Sequence, residues 1–180
     1  MTPLFSSAGT RRIATLAVVI FAADQLTKLA VLRWLGVTEE RQVVEGFFKF
    51  VHWQNTGAAF SMFRQNNNVL GIISAIALVA LWVFRRHFEA HRPLGQLALG
   101  LLFGGITGNL LDRLLPTRHH VIDFLYFHLH PRGGGEIGFP AFNIADMAIT
   151  GGVGLLMLLS LRPEAEAPAA NSGAAATEGR

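Results

Sequence analysis

The chain contains no cysteine. That absence excludes disulfides, a thiolate nucleophile, thiolate-ligated zinc and palmitoylation, and the chain cannot carry a lipid on a cysteine of its own. Charge is scarce too. Only 15% of the 180 residues are Asp, Glu, Lys or Arg, whereas 51% are apolar, and the formal net charge is +3. The arginines are scattered between apolar runs rather than gathered among aromatics, so nucleic-acid binding is not expected. Ser61, Ser74 and Ser160 lie in no G-x-S-x-G setting and no Ser-Lys pair is apparent, which disfavours a serine nucleophile. No internal repeat is visible.

What the sequence does have is long hydrophobic runs, at residues 13–34, 69–84, 94–111 and 142–161. Each is near the roughly 20 residues that cross a hydrocarbon core. They predict an all-α membrane protein with four transmembrane helices in a single domain over residues 1–162. Residues 163–180 are Ala, Pro, Glu and Gly without periodicity, which predicts a disordered cytoplasmic tail. The first run is read as an anchored helix, not a cleaved signal peptide. Its apolar character resumes beyond Asp24, and Phe21 sits where cleavage after Ala23 would need a small residue. Arg11 and Arg12 precede helix one, and Arg85, Arg86 and Arg92 fill the short link between helices two and three, so both termini are expected in the cytoplasm.

Two outer loops follow, at residues 36–68 and 112–141. Residues 43–53, rich in Val and Phe, predict one or two short strands at headgroup level, or equally an aromatic interfacial belt. Pro131 with Gly133, Gly134 and Gly135 marks a turn able to move as a flap. His119-His120 and His128-x-His130 have metal-like spacings but no flanking H-E-x-x-H motif. Interfacial histidines are the favoured reading, and neither metal nor cofactor is expected.

Several polar groups fall where a membrane protein tolerates them poorly. Asp24 and Lys28 stand four apart and can pair across a helical turn, as a functional pair or as a structural tie between helices. Gly100, Gly104 and Gly108, with Gly105, strip one face of helix three for close packing. Asn109, Asp112 and Arg113 then share a face at its outward end, as part of a site or as a network satisfying the helix end. Asn143 and Asp146 open helix four, where an N-cap and dipole compensation are the plain alternatives. Asp123 sits within the apolar tetrad Val121-Ile122-Asp123-Phe124, whose burial would keep a carboxyl neutral. The topology gathers Asp112, Asp123 and Asp146 at one membrane face, within reach of Asp24 and Lys28. Two close carboxylates do not both ionise easily, so one can take a proton from water while the other donates one.

In order, these clusters resemble the signature of lipoprotein signal peptidases. The matching blocks are Asp24-Gln25-Leu26-Thr27-Lys28, Asn55-Thr56-Gly57-Ala58-Ala59-Phe60, Gly104-Gly105-Ile106-Thr107-Gly108-Asn109-Leu110-Leu111-Asp112-Arg113, Val121-Ile122-Asp123-Phe124 and Phe142-Asn143-Ile144-Ala145-Asp146. The resemblance implies a signal peptidase II, an aspartic endopeptidase of the bacterial cytoplasmic (inner) membrane. Such an enzyme removes the signal peptide of a diacylglyceryl-modified prolipoprotein, cutting before the lipidated cysteine at the outer face. It implies Asp123 and Asp146 as the catalytic pair, with Asp24, Lys28, Asn55, Gly57, Asn109, Asp112, Arg113 and Asn143 in support. It also implies inhibition by the cyclic peptide globomycin. Prolipoproteins and membrane lipids are the expected partners of a monomer, and the substrate's apolar helix is expected beside the glycine face of helix three. The His-rich stretch at residues 119–130 and the glycine turn lie outside the family pattern. A proton-coupled transporter using Asp24, Lys28 and Asp146, and an assembly factor binding a partner helix, are the rival classes.

Overall fold

The computed structural model describes residues 7–57, 66–88 and 90–161. The alanine-rich block 58–60, the arginine at 64 and the tail from 162 onward lie outside the described residues, as does the expectation of disorder for that tail. Helices α1 (Ser7–Trp34), α2 (Asn67–Phe84), α3 (Pro93–Leu114) and α4 (Ile144–Ser160) fall on the four predicted runs. Three of them, α1 to α3, are long and apolar enough to cross a membrane, whereas α4 is apolar but has 17 residues. Val18, Leu26, Ile72, Ile76, Val79 and Met157 are exposed on these helices. A helix that keeps an apolar outer surface is built for lipid rather than water.

Helix α3 is the central one, packed against α1, α4 and α2. Its glycines allow this closeness. A Cβ on Gly100 would stand 2.6 Å from Leu16 Cβ, and one on Gly104 would stand 2.7 Å from the Ala17 carbonyl oxygen. On the other side, a Cβ on Gly105 would approach the Ala145 carbonyl oxygen to 2.6 Å. The glycine face is therefore filled by α1 and α4. This corrects the expectation that it lies open to a substrate helix: small residues let the protein's own helices meet there.

Between the helices, strands β1 (Glu40–Val44), β2 (Phe48–Asn55), β3 (Val121–Leu129) and β4 (Ile137–Gly138) form one antiparallel sheet in the order β1-β2-β3-β4. The first two strands match the expectation for residues 43–53. The nine-residue β3 enlarges the predicted β-like loop into a sheet that joins both loops, so the protein is mostly helical with a small antiparallel sheet. Its buried residues run almost continuously from Val121 to Phe124, which hides the alternation that identifies a half-exposed strand.

A small core sets the position of β3. Val31 and Leu35 at the end of α1 pack with Ile122 and Phe124, joined by Phe50, Leu125 and Ile144. Burying side chains of this size stabilises by roughly 1.5–3 kcal/mol each. Leu125 and Phe142 exchange main-chain hydrogen bonds of 2.9 and 3.1 Å, which fasten the start of α4 alongside β3. The residue between the two core anchors is Asp123, and the residue after Phe142 is Asn143.

Candidate active site

Because Ile122 and Phe124 pack on α1, the strand holds Asp123 rigidly with its side chain buried. Each carboxylate oxygen receives an amide: Asn143 Nδ2 donates to Oδ1 at 2.8 Å, and Asn55 Nδ2 donates to Oδ2 at 2.8 Å. Asn55 is itself held, because its Oδ1 accepts the Gly57 main-chain N–H at 2.9 Å. Burial raises the Asp123 carboxyl from the usual 3.8 to about 7, reinforced by the negative charge of Asp146 and opposed by its hydrogen bonds and by Lys28. Burial and the neighbouring charge thus favour the neutral acid, the direction that the apolar tetrad predicts.

Asp146 occupies the third position of α4. Asn143 caps that helix, its Oδ1 accepting from Asp146 N at 2.9 Å, while Asp146 Oδ2 accepts from Asn143 N at 3.2 Å. The capping box fixes the carboxylate against its own helix. Asn109 Nδ2 donates to the other oxygen, Oδ1, at 2.7 Å. Asn143 is thus both the N-cap and a partner of Asp123.

Behind the two carboxylates lies a buried charged cluster. Lys28 Nζ is 2.8 Å from Asp24 Oδ2 and 2.7 Å from Asp112 Oδ2, with all three side chains fully buried. The same ammonium donates to Asn109 Oδ1 at 2.9 Å, which leaves the Asn109 amide directed at Asp146. Asp24 Oδ1 accepts the main-chain N–H of Ala145 at 3.0 Å and so ties α1 to the first turn of α4. A buried charge pair survives only when its remaining valences are filled in this way. Asp24 and Lys28 are therefore paired across one turn, as their spacing predicts.

Arg113 reaches Gly57 O at 3.0 Å and Asn109 O at 3.3 Å, joining α3 to the end of β2. Asn55, Gly57, Asn109, Arg113, Asp123 and Asp146 all line a cavity of about 840 Å³, together with Trp53, Phe139, Phe142, Met147 and Ile149. Asp24, Lys28, Asp112 and Asn143 stand behind its wall. All ten candidate residues belong to one connected arrangement, six facing the cavity and four supporting them. A mostly apolar cavity with a few convergent polar groups and a shifted carboxyl is the usual form of a catalytic pocket.

Two participants were missed in the sequence. Arg118 donates through Nη1 to Asp112 Oδ1 and to Gln25 Oε1, the latter at 3.1 Å. Gln25 Nε2 in turn donates to Asp24 Oδ2, to the Gly108 carbonyl and to Asp112 Oδ1 at 3.1–3.3 Å. Gln25 carried a signal, since it directly follows Asp24 in an apolar helix. Arg118 carried none, because it sits in an ordinary polar turn.

The profile of the family described as signal peptidase (SPase) II matches residues 16–162. The lipoprotein signal peptidase of Symbiobacterium thermophilum is 38% identical over 143 residues, covering 79% of this chain and 90% of that protein. The lipoprotein signal peptidase of Ralstonia nicotianae is 41% identical over 152 residues, covering 82% of each. A solved structure described as a bacterial membrane enzyme, determined by the in meso method, superposes with a TM-score of 0.72 at 30% identity. It covers 86% of this chain and 93% of its own. With a match running from α1 to the end of α4 and relatives at this identity covered over most of their length, the chain belongs to the signal peptidase II family of proteases.

Proposed function

We propose that this protein is an aspartic endopeptidase that cleaves diacylglyceryl-modified prolipoproteins immediately before the lipidated cysteine, with Asp123 and Asp146 as the catalytic pair. The observation that carries the reading is the bridge of Asn143 between the two carboxylates at the wall of a single cavity. In the reaction, the Asp146 carboxylate takes a proton from water as its oxygen attacks the scissile carbonyl carbon. The Asp123 carboxylic acid gives its proton to the carbonyl oxygen, yielding a neutral tetrahedral diol. On collapse, Asp146 returns its proton to the departing amine of the lipidated cysteine, and a diol hydroxyl returns one to Asp123. The pair ends in its starting state, with no metal or cofactor in any step.

The cavity suits this substrate. Phe139, Phe142, Met147 and Ile149 offer apolar wall, while Asn55, Arg113 and the two aspartates offer polar contacts at one end. A lipidated cysteine needs both, since its acyl chains stay in the bilayer while the scissile bond lies near the interface. With the glycine face closed, the route for the signal helix is the side of the bundle where this cavity opens. We read residues 1–162 as one four-helix unit in the bacterial inner membrane, with α4 as the fourth span. The termini are cytoplasmic, and the dyad and sheet lie at the outer face. The protein acts as a monomer, contacts membrane lipids and is blocked by globomycin.

The test is cleavage of a diacylglyceryl-modified prolipoprotein peptide by the detergent-solubilised protein. Cutting before the lipidated residue, inhibition by globomycin and no cutting of the unlipidated peptide are expected. Equal cutting of the unlipidated peptide would overturn the substrate assignment.

A further inference from the structure

A second constellation of ligating side chains lies away from the dyad, on the far end of β3. His128 is near the end of the strand, and His130 follows it two residues later. Beyond the glycine turn, Glu136 returns to them just before β4. His128 Nδ1 is 3.3 Å from Glu136 Oε2, and His130 Nε2 is 3.6 Å from the same oxygen. One ligand atom from each residue falls within 4.8 Å of the others. We propose that His128, His130 and Glu136 form a binding site for a divalent transition-metal ion of the zinc class, which clasps the end of β3 to the turn before β4.

Geometry is the first support. Nitrogen and oxygen ligands about 2.0–2.2 Å from a tetrahedral zinc stand roughly 3.3–3.5 Å apart. The two measured separations from Glu136 lie at that edge length or a few tenths of an ångström from it. Two histidines and a glutamate leave a fourth position for water, a common zinc arrangement.

The second support is burial. The His128 side chain is 1% exposed, and its Nδ1 faces Glu136 Oε2 at 3.3 Å without the geometry of a hydrogen bond. A buried ring nitrogen gains from a better-aligned partner than this. The ring is also held in place, stacked on Tyr126 at 5.6 Å. Its far nitrogen, Nε2, lies 3.3 Å from Gln42 Nε2, an amide nitrogen that only donates, so ligation through Nδ1 requires the Gln42 side chain to turn its oxygen to that position and accept the Nε2 proton.

Charge agrees. Lys49 lies 2.7 Å from Glu40 and 3.1 Å from Glu136, so a single ammonium serves two carboxylates. One negative charge is left over beside two imidazoles, and Glu40 keeps Lys49 neutralised when Glu136 turns to a metal. Nothing lies within 4 Å of where Cβ atoms on Gly133, Gly134 and Gly135 would be, so the turn has room for the small adjustment. The sequence hid the site because the acidic ligand stands six residues beyond His130 and reaches it only through the hairpin.

The consequence for the cavity is mechanical. His128 and Leu129 pair with Gly138 and Ile137, and the next residue, Phe139, lines the dyad's cavity. A metal at the hairpin would stiffen that wall.

The experiment is equilibrium dialysis of the full-length, detergent-solubilised protein against zinc alone, with cobalt(II) absorption as a geometric readout. Wild type is expected to bind one zinc per chain, and its cobalt form to show the intense visible bands of a tetrahedral site. His130→Ala, at a half-exposed position where folding is not at risk, should weaken binding at least tenfold and abolish those bands, as should Glu136→Gln. His119→Ala should bind as wild type does. No zinc bound by the wild type, or undiminished binding by His130→Ala, would overturn the proposal.

Discussion

Asn143 donates its side-chain amide to Asp123 Oδ1 at 2.8 Å while its side-chain oxygen accepts the Asp146 main-chain N–H at 2.9 Å and so caps α4, the helix that carries Asp146 in its first turn. One residue therefore sets the position of one carboxylate and the helix end that carries the other. Asn143→Ser keeps a capping oxygen but has no amide to reach Asp123. It should lose activity and about 1–3 kcal/mol of stability, because the cap is kept while the buried acceptors on Asp123, Ile122 and Asn109 lose their donor. Asn143→Ala should lose activity and about 1 kcal/mol more, the contribution of the cap. Thermal melts beside cleavage rates separate the two effects, and equal activity in Asn143→Ser and wild type would contradict the bridging role.

Lys28 is the only cation within hydrogen-bonding reach of both Asp24 and Asp112 among the described ion pairs that bury all partners completely. Lys28→Met leaves the buried Asp24 carboxylate without a cation and Asp112 with Arg118 alone. Breaking a buried pair from one side costs about 3–5 kcal/mol, so this variant should melt well below wild type. Restoring the balance with Asp112→Asn in the Lys28→Met background should recover part of that loss. A Lys28→Met protein as stable as wild type would show that the cluster carries no net strain when opened.

The pH dependence follows from Asp123. Its carboxyl is raised from 3.8 to about 7, by burial first and by the charge of Asp146 second. A group whose folded value lies above its unfolded value contributes most below the unfolded value, and that contribution is lost as pH rises through the folded one. Stability from this group should therefore fall between about pH 4 and 7. Activity that needs the neutral acid should decline on the alkaline side with an apparent midpoint near 7, a value belonging to the pair rather than to either residue. A kcat/KM profile flat from pH 6 to about pH 9 would contradict this, since no proton would then be lost from the working form.

Helix packing gives a prediction remote from the chemistry. A Cβ on Gly105 meets the Ala145 carbonyl oxygen at 2.6 Å, so Gly105→Ala must push α4, and Asp146 with it, away from α3. Overpacking of this kind costs typically 1–3 kcal/mol. Stability and cleavage rate should both fall. Gly154→Ala, on the same helix as Asp146 but with nothing within 4 Å of the added carbon, should leave both unchanged.

Much of this was legible in the sequence because hydrophobic runs near 20 residues leave few alternatives to helices in lipid. The polar residues inside those runs were conspicuous for the same reason, and Asp24, Lys28, Asn109, Asp112 and Arg113 could be placed by helical spacing alone. Strand β3 was not legible, because Val121, Ile122, Asp123 and Phe124 are buried together and show no alternation. Arg118 escaped because its partners, Gln25 and Asp112, are brought to it only by the packing of α1 on α3. The glycine face misled in one respect: the spacing showed that a helix would pack there, but not that α1 and α4 would take the place.

The central claim is that Asp123 and Asp146 work as a pair, and the most direct measurement is the cleavage rate of a diacylglyceryl-modified prolipoprotein peptide by wild type, Asp123→Asn and Asp146→Asn. Each amide is close in shape to the acid it replaces, and each variant should fold, as judged by its melt. The account predicts that each loses roughly 10²–10⁴-fold or more in kcat/KM, the scale of general acid–base catalysis, and that the double variant loses little beyond the worse single one. A folded Asp123→Asn or Asp146→Asn protein that cleaves at the wild-type rate would contradict it.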